Sequence, residues 1–301
     1  ELITVSNISE ENDSELLQPI VFYYYWDGFQ FSEEPGGVLN LSDGRSFVRA
    51  QNFTLMDYDG DMDQELAVSV GSPLRQVIVL DLDTDGEWKE LETLKPNGMR
   101  SGVGTISVTA VDWNRDGYDD LLTSSVEGSV LKTQPFYNTG NELVSGKGEE
   151  VMFAGLDGLI PISITTLDWN KDGFLDVILP FYNGDMIGMT LYGDRVDVAK
   201  LPIEAGPISE IRISDFNQDS YSDILLVSGD MNVLSIVYGT IDGLSGPSEY
   251  FTIEEAGERE AQVFTALPIS TQGIYTGTII AAGFDGYETC LLYTSDAADD
   301  L

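Results

Sequence analysis

Apolar residues along this chain come in short runs, and polar turn residues interrupt each run before it reaches the length of a helix. Phe53–Met56, Ile106–Val111, Ile162–Leu167 and Ile211–Ser214 are rich in branched or aromatic side chains, as are Leu66–Val70, Leu121–Ser124, Val177–Pro180 and Ile224–Val227. Short segments of this kind, bounded by Gly, Asn and Asp, predict β-strands. Each of the first four leads into one of the second four across nine residues: 57–65, 112–120, 168–176 and 215–223. A second turn signal comes later in each repeat, at Asp85-Gly86, Asn138-Thr139-Gly140, Gly193-Asp194 and Asp242-Gly243. Its Gly lies 29, 28, 25 and 28 residues after the first Asp of the preceding loop, and Gly takes the positive φ of a hairpin turn without steric cost. One repeat therefore predicts strand, loop, strand, connection, strand, turn, strand. A repeat of about 50 residues that is all β marks a propeller or related array, with four strands to a blade. The fold class is all-β: an incomplete β-propeller of four-stranded antiparallel blades, about five to six of them present. No helix longer than three turns belongs in such a fold. The stretch from Val263–Leu267 to Thr278–Ala282 predicts a degenerate blade, with Pro268, Ser270 and Gln272 where the other repeats carry oxygen ligands.

The nine-residue loops carry the chemistry. They read Asp57-Tyr-Asp59-Gly-Asp61-Met-Asp63-Gln-Glu65, Asp112-Trp-Asn114-Arg-Asp116-Gly-Tyr118-Asp-Asp120, Asp168-Trp-Asn170-Lys-Asp172-Gly-Phe174-Leu-Asp176 and Asp215-Phe-Asn217-Gln-Asp219-Ser-Tyr221-Ser-Asp223, starting 55, 56 and 47 residues apart. Side-chain oxygens fall at positions 1, 3, 5 and 9 of every copy. Ca²⁺ takes about six to eight oxygen ligands at roughly 2.3–2.6 Å and tolerates irregular geometry. Positions 1, 3 and 5 would aim inward, position 7 (Asp63, Tyr118, Phe174, Tyr221) would offer its backbone carbonyl, and the position 9 carboxylate would close the cage. An EF-hand loop is longer and flanked by helices; these loops join strands.

Those four loops, with Val237-Tyr-Gly-Thr-Ile-Asp-Gly-Leu-Ser245, resemble the FG-GAP/VCBS repeat family, known from the propeller domains of integrin α-subunits and from many secreted bacterial proteins. The resemblance implies a β-propeller with Ca²⁺ clipped into its blade hairpins and a surface used for adhesion or ligand binding. The first loop departs from the pattern, with Gly60 at position 4, Met62 at position 6 and the longer Glu65 at position 9; the fourth has Ser220 at position 6. Gly at position 6 eases a tight turn, so the first and fourth sites are expected to be weaker than the middle two. The lookalike Asp81-Leu-Asp83-Thr-Asp85-Gly86 has Lys89 at its ninth position and reads as a solvated turn.

Composition narrows the chemistry further. The chain has no His and a single Cys, Cys290, which excludes disulfide scaffolds, Cys/His zinc sites, Ser-His-Asp triads and Cys-His dyads. Its 52 acidic and 14 basic residues give a formal charge of −38. Four Ca²⁺ ions would offset only eight of those charges, so the rest predict a strongly negative surface that repels nucleic acid and anionic lipid. No apolar run of about 18 residues and no signal peptide are visible, so this fragment carries no segment for direct membrane insertion. Glu1-Leu-Ile-Thr-Val5 is similar to Glu65-Leu-Ala-Val-Ser69, which predicts a chain that starts inside a blade. Residues 290–299 resemble a translated sequencing adapter, so the propeller is assigned to residues 1–289 and residues 290–301 to a non-native tail; the alternative is a native strand, Leu291-Leu-Tyr293, followed by an acidic tail. The polar run Asn7–Glu15 suggests a mobile insertion.

Position 2 of each loop is aromatic (Tyr58, Trp113, Trp169, Phe216), as packing between blades requires. Phe22–Trp26 alternates sides of a strand, with packing favoured over stacking on a sugar ring. Asn7, Asn40 and Asn52 head N-glycosylation sequons. The function these features predict is a calcium-binding, secreted or surface-displayed module for adhesion or binding, without catalysis of its own, whose partner is a protein or carbohydrate at one face of the propeller. Sites of this kind saturate where Ca²⁺ is abundant, outside cells. The alternative is the propeller part of a secreted polysaccharide lyase or glycosidase, which would need a cleft with two carboxylates about 5–10 Å apart.

Overall fold

The computed structural model describes residues 2–10, 13–24, 32, 36–41, 50–71, 74–83, 86–97, 107–127, 130–152, 161–192, 195–203, 206–217, 219–228, 233–241, 243–244, 249–252, 261–271, 274–284 and 290–294. Every regular element among them is a strand, and no helix is long and apolar enough to cross a membrane. The chain divides into two compact units, Glu1–Ile164 and Thr165–Leu301.

The first unit opens with a three-stranded antiparallel sheet of β1 (Leu2–Glu10), β2 (Asp13–Tyr24) and β3 (Gly37–Asn40). The polar run Asn7–Glu15, expected as an insertion, lies instead largely within this hairpin. Asn7 faces Pro19, Ile8 faces Gln18 and Ser9 faces Leu17, because the ladder is made by backbone groups and needs no apolar side chains. Of Phe22–Trp26, the last two residues lie outside the described ones.

The first blade comes next: β4 (Ala50–Met56), β5 (Glu65–Val70), β6 (Gln76–Leu82) and β7 (Trp88–Leu94), hydrogen-bonded in that order. The second holds β8 (Ser107–Val111), β9 (Asp120–Glu127) and β10 (Val130–Asn138). Its outer strand, expected in one piece, is split into β11 (Leu143–Ser145) and β12 (Glu149–Met152), both paired with β10. The break has a local cause: Gly146 N–H bonds to Pro135 O at 2.8 Å, so close that a Cβ on Gly146 would lie 2.5 Å from the Tyr137 ring.

β5 is buried at every residue, because its two faces serve two interfaces. Ala67, with Val77, Val79, Met56 and Tyr58, packs on Val108, Leu121, Phe136 and Leu143 of the second blade. Leu66, Val68 and Val70, with Ile78 and Leu80, pack on Val21 and Leu41 of the first sheet. Each large aliphatic buried this way contributes about 1.5–3 kcal/mol. The first strands of the two blades also meet. Asn52 Oδ1 accepts Val108 N–H at 2.9 Å and Thr54 Oγ1 accepts Ala110 N–H at 3.3 Å, which engages the Asn52 side chain between blades.

In the second unit, β13 (Thr165–Leu167), β14 (Asp176–Pro180), β15 (Met186–Tyr192) and β16 (Arg195–Lys200) make the third blade. β13 is shorter than the run Ile162–Leu167. β17 (Glu210–Ser214), β18 (Asp223–Ser228) and β19 (Val233–Val237) begin the fourth. The turn at Gly243, expected to join the third strand to the fourth, closes a separate ladder of β20 (Gly239–Thr240) and β21 (Gly243–Leu244). The fourth strand is β22 (Glu249–Thr252), paired with β19. The expected turn residues Asp85, Gly193, Asp194 and Asp242 lie outside the described residues.

A last three-stranded sheet holds β23 (Ala261–Thr271), β24 (Ile274–Phe284) and β25 (Cys290–Thr294). Val263–Leu267 does pair with the segment around Thr278–Ala282. Contrary to expectation, β23 runs on through Pro268 and Ser270, with no loop there; β23 is an edge strand, where Pro is tolerated, and Gln272 lies outside the described residues. Four successive antiparallel blades of four-stranded type, with no helix among the described residues, make the architecture a β-propeller.

Candidate metal centre

Each nine-residue loop folds by the same local rule: carboxylate and amide oxygens at odd positions accept backbone N–H groups a few residues on, as Asp and Asn do in turns. Position 1 holds the far side of the loop. Asp57 Oδ1 accepts Gly60 N–H at 2.8 Å, Asp112 accepts from Asp116 and Gly117 at 3.0 Å each, Asp168 Oδ2 accepts from Gly173 at 3.0 Å, and Asp215 accepts from Asp219 and Ser220 at 3.0 and 2.9 Å. Position 3 accepts the N–H of position 5, through Asp59, Asn114, Asn170 and Asn217 at 2.9–3.3 Å. Position 5 accepts the N–H of position 7, linking Asp61 to Asp63, Asp116 to Tyr118, Asp172 to Phe174 and Asp219 to Tyr221 at 2.8–3.0 Å. Positions 1, 3 and 5 are thereby drawn to one side of each loop.

This winding puts the backbone in the left-handed region at two positions. Position 6 has φ of +75° at Met62, +93° at Gly117, +88° at Gly173 and +71° at Ser220; position 4 has +81° at Gly60, +63° at Arg115 and +62° at Lys171. The sequence pointed to position 6 alone. The first loop has its Gly at one of the two demanding positions and the second and third have it at the other.

Position 9 behaves differently from the rest. Glu65, Asp120 and Asp223 are buried, and they brace the loop from within. Glu65 Oε2 accepts Tyr58 N–H at 2.6 Å. Asp120 accepts from Trp113, Asn114 and, across the sheet, Asn138 at 3.0, 3.2 and 2.7 Å. Asp223 repeats this with Phe216, Asn217 and Gly239 at 2.8, 3.4 and 2.8 Å. Burial pushes the Glu65 carboxyl up to about 7 and those of Asp120 and Asp223 up to about 6, against the pull of the backbone donors. The charges acting on them are all negative: Asp59, Asp61 and Asp81 on Glu65, Asp116 on Asp120, Asp219 on Asp223. Sequence reasoning gave this position to the ion and missed its role in the fold.

The donor set fits a hard cation. One carboxylate oxygen from each of Asp57, Asp59 and Asp61 lies within 4.8 Å of the others, where like charges repel unless a cation intervenes. The other loops carry Asn at position 3, so fewer charges meet there. In the third, Asp168 Oδ1 is buried and meets no hydrogen-bond donor among the described residues. The lookalike at Asp81–Gly86 is instead a turn between β6 and β7: Asp83 Oδ1 accepts Glu87 N–H, and Asp83 O accepts Gly86 N–H.

Aromatic residues frame the loops. Tyr58, Trp113 and Phe216 are buried, and Tyr58 lies in the core shared by the first two blades, its hydroxyl donating to Asn141 O at 2.8 Å. Trp169 is half-buried and donates to Thr190 Oγ1 at 2.7 Å. Lys171 Nζ lies 4.3 Å from the centre of the Tyr221 ring, joining the third loop to the fourth.

Residues 57–123, which span the first loop through the second, match the family of FG-GAP-like repeats. No curated protein matches the chain. Among solved structures, an Agrocybe aegerita lectin described as recognising non-reducing terminal N-acetylglucosamine is similar at a TM-score of 0.56 and 12% identity, over 97% of this chain and 80% of its own. BBS1N, solved in complex with ARL6DN, gives a TM-score of 0.49 and 12% identity over 95% of this chain and 76% of its own. Residues 57–123 therefore carry an FG-GAP-like repeat, set among four-stranded antiparallel blades of a β-propeller.

Proposed function

We propose that the four loops bind Ca²⁺ and that the protein is a calcium-stabilised propeller module for binding or adhesion, working outside cells or at their surface. The observation that carries this reading is the convergence of Asp57, Asp59 and Asp61 oxygens within 4.8 Å, in a loop type whose hydrogen bonds to position 3 from position 5 and to position 5 from position 7 recur in three further blades. The side chains that would hold the ions are those at positions 1, 3, 5 and 9 of each loop, with the carbonyl of position 7. Bound there, Ca²⁺ supplies charge neutralisation rather than reaction chemistry. The loop residues join two strands of a blade, so holding them fixed keeps the hairpin in register and the loop-bearing edge rigid for a partner. That partner is a protein or a carbohydrate; nucleic acid and anionic lipid are disfavoured by a formal charge of −38. The module has no catalysis of its own.

A ligand that binds only the folded state stabilises it by about 2.7 kcal/mol per site at a hundredfold excess over Kd. Thermal melting in chelator and in millimolar Ca²⁺ tests the proposal. The melting temperature should rise by several degrees with calcium, and a temperature that does not respond to calcium would sink it.

A further inference from the structure

Asn138 stands where the loops of the first two blades meet. Its Nδ2 donates to Tyr58 O at 3.0 Å in the first loop and to Asp119 O at 3.1 Å in the second, with Asp57 O at 3.4 Å. Its Oδ1 accepts Gly140 N–H at 2.8 Å, which orients the amide so that its nitrogen faces the carbonyls. Its own N–H donates to Asp120 Oδ1 at 2.7 Å, and the residue is 1% exposed. A second link runs beside it, from Asp57 N–H to Asp119 Oδ2 at 3.3 Å. The first two residues of one loop and the last two of the other thus share a single network, most of it buried.

We propose that Asn138 couples these two loops, so that a cation held in one tightens the other; the inference rests on the calcium reading above. Closing the first loop on an ion fixes the backbone of Asp57 and Tyr58. Asn138 passes that constraint to Asp119 and Asp120, so part of the ordering met by the first ion is not met again by the second. The fourth blade offers a contrast within the same chain. Gly239 N–H donates to Asp223 Oδ1 at 2.8 Å, as Asn138 N–H does to Asp120, but Gly239 has no side chain to reach another loop. The structure therefore assigns the coupling to the amide of Asn138 and not to the strand that bears it.

Hydrogen exchange of the whole chain, followed by mass spectrometry across a calcium titration, reads each loop separately. The midpoint of calcium-dependent protection in residues 107–120 reports the second loop and that in residues 53–65 the first. Disabling the first loop with Asp59→Ala should raise the second loop's midpoint about fivefold, the lower end of ordinary coupling between sites. In an Asn138→Ala background both loops should still respond to calcium, and the cross-effect should fall below about twofold, the remainder left by the single Asp57–Asp119 link. Should Asn138→Ala fold poorly, Asn138→Leu keeps the side-chain volume and also loses both Nδ2 donors, and the cross-effect should fall there in the same way. A cross-effect that survives both substitutions undiminished, or that is absent with Asn138 in place, overturns the coupling alone. Protection that ignores calcium in both loops overturns the calcium reading and the coupling with it.

Discussion

Met62 holds φ at +75° in the first loop with its side chain 87% exposed, so the strain there is backbone strain with no packing to offset it. A left-handed non-Gly residue costs about 1–2 kcal/mol, part of which a Gly gives back through its freer unfolded chain. Met62→Gly should therefore stabilise the protein by about 1 kcal/mol and tighten calcium binding at the first loop, as read by denaturant unfolding and calcium titration. Gly60→Ala, at +81°, should do the reverse. A loss of stability in Met62→Gly would show that the turn is not strained at this point. The need for Gly at position 6 was legible because three loops with Gly or small residues there could be set against Met62. The matching need at position 4 was hidden, since Arg115 and Lys171 occupy it and neither advertises a positive φ. Asn138 was visible only as a turn residue: its side chain bonds to carbonyls 19, 80 and 81 positions away, which no local pattern encodes.

The hairpin of two strands round a loop is the element that the alternation of apolar runs and acidic loops specified well, because its apolar and acidic residues are local in sequence and repeat four times. The outer half of each blade was less legible. The split into β11 and β12 depends on Gly146 meeting Pro135 and Tyr137 across the sheet, and the ladder β20–β21 replaces a simple hairpin. Within the element, position 9 has a structural role that its spacing, which suggests ligation, does not reveal. Asp120 is fully buried and satisfies three backbone N–H groups, from both the loop and β10. Removing it leaves buried donors unpaired, at about 1–3 kcal/mol each. Asp120→Ala should thus cost roughly 3 kcal/mol or more both in chelator and in calcium. Asp116, on the exposed side of the same loop, offers the contrast. Asp116→Ala should change stability by less than about 1 kcal/mol in chelator but should remove about 2.7 kcal/mol of the gain from calcium. Unfolding free energies of both variants in the two conditions check this. Equal behaviour of the two would mean that positions 5 and 9 share one role.

At the scale of the whole molecule the decisive quantity is charge. Against 52 acidic residues stand 14 basic ones, and some of these are committed to ion pairs: Lys132 with Glu150, Lys200 with Asp185, Arg212 with Glu210. Acidic residues therefore exceed basic ones by 38, and their mutual repulsion weakens the compact state. Two remedies exist and they differ in kind. Screening acts on every exposed pair and strengthens smoothly as the Debye length falls from about 10 Å at 0.1 M salt to about 3 Å at 1 M. Ligation acts only at the loops, saturates, and depends on which ion is offered, since Mg²⁺ demands octahedral geometry at shorter distances and sheds its water reluctantly. In chelator, the melting temperature should climb steadily as NaCl is raised across that range. At constant salt near 0.15 M, where exposed charges are already screened beyond about 8 Å, millimolar CaCl₂ should add a further, saturating rise that MgCl₂ at the same concentration does not match. A melting temperature indifferent to NaCl would remove repulsion as a term in the stability. Calcium and magnesium acting alike would reduce the ion's effect to screening, with the four loops then serving the fold as hydrogen-bonded turns alone.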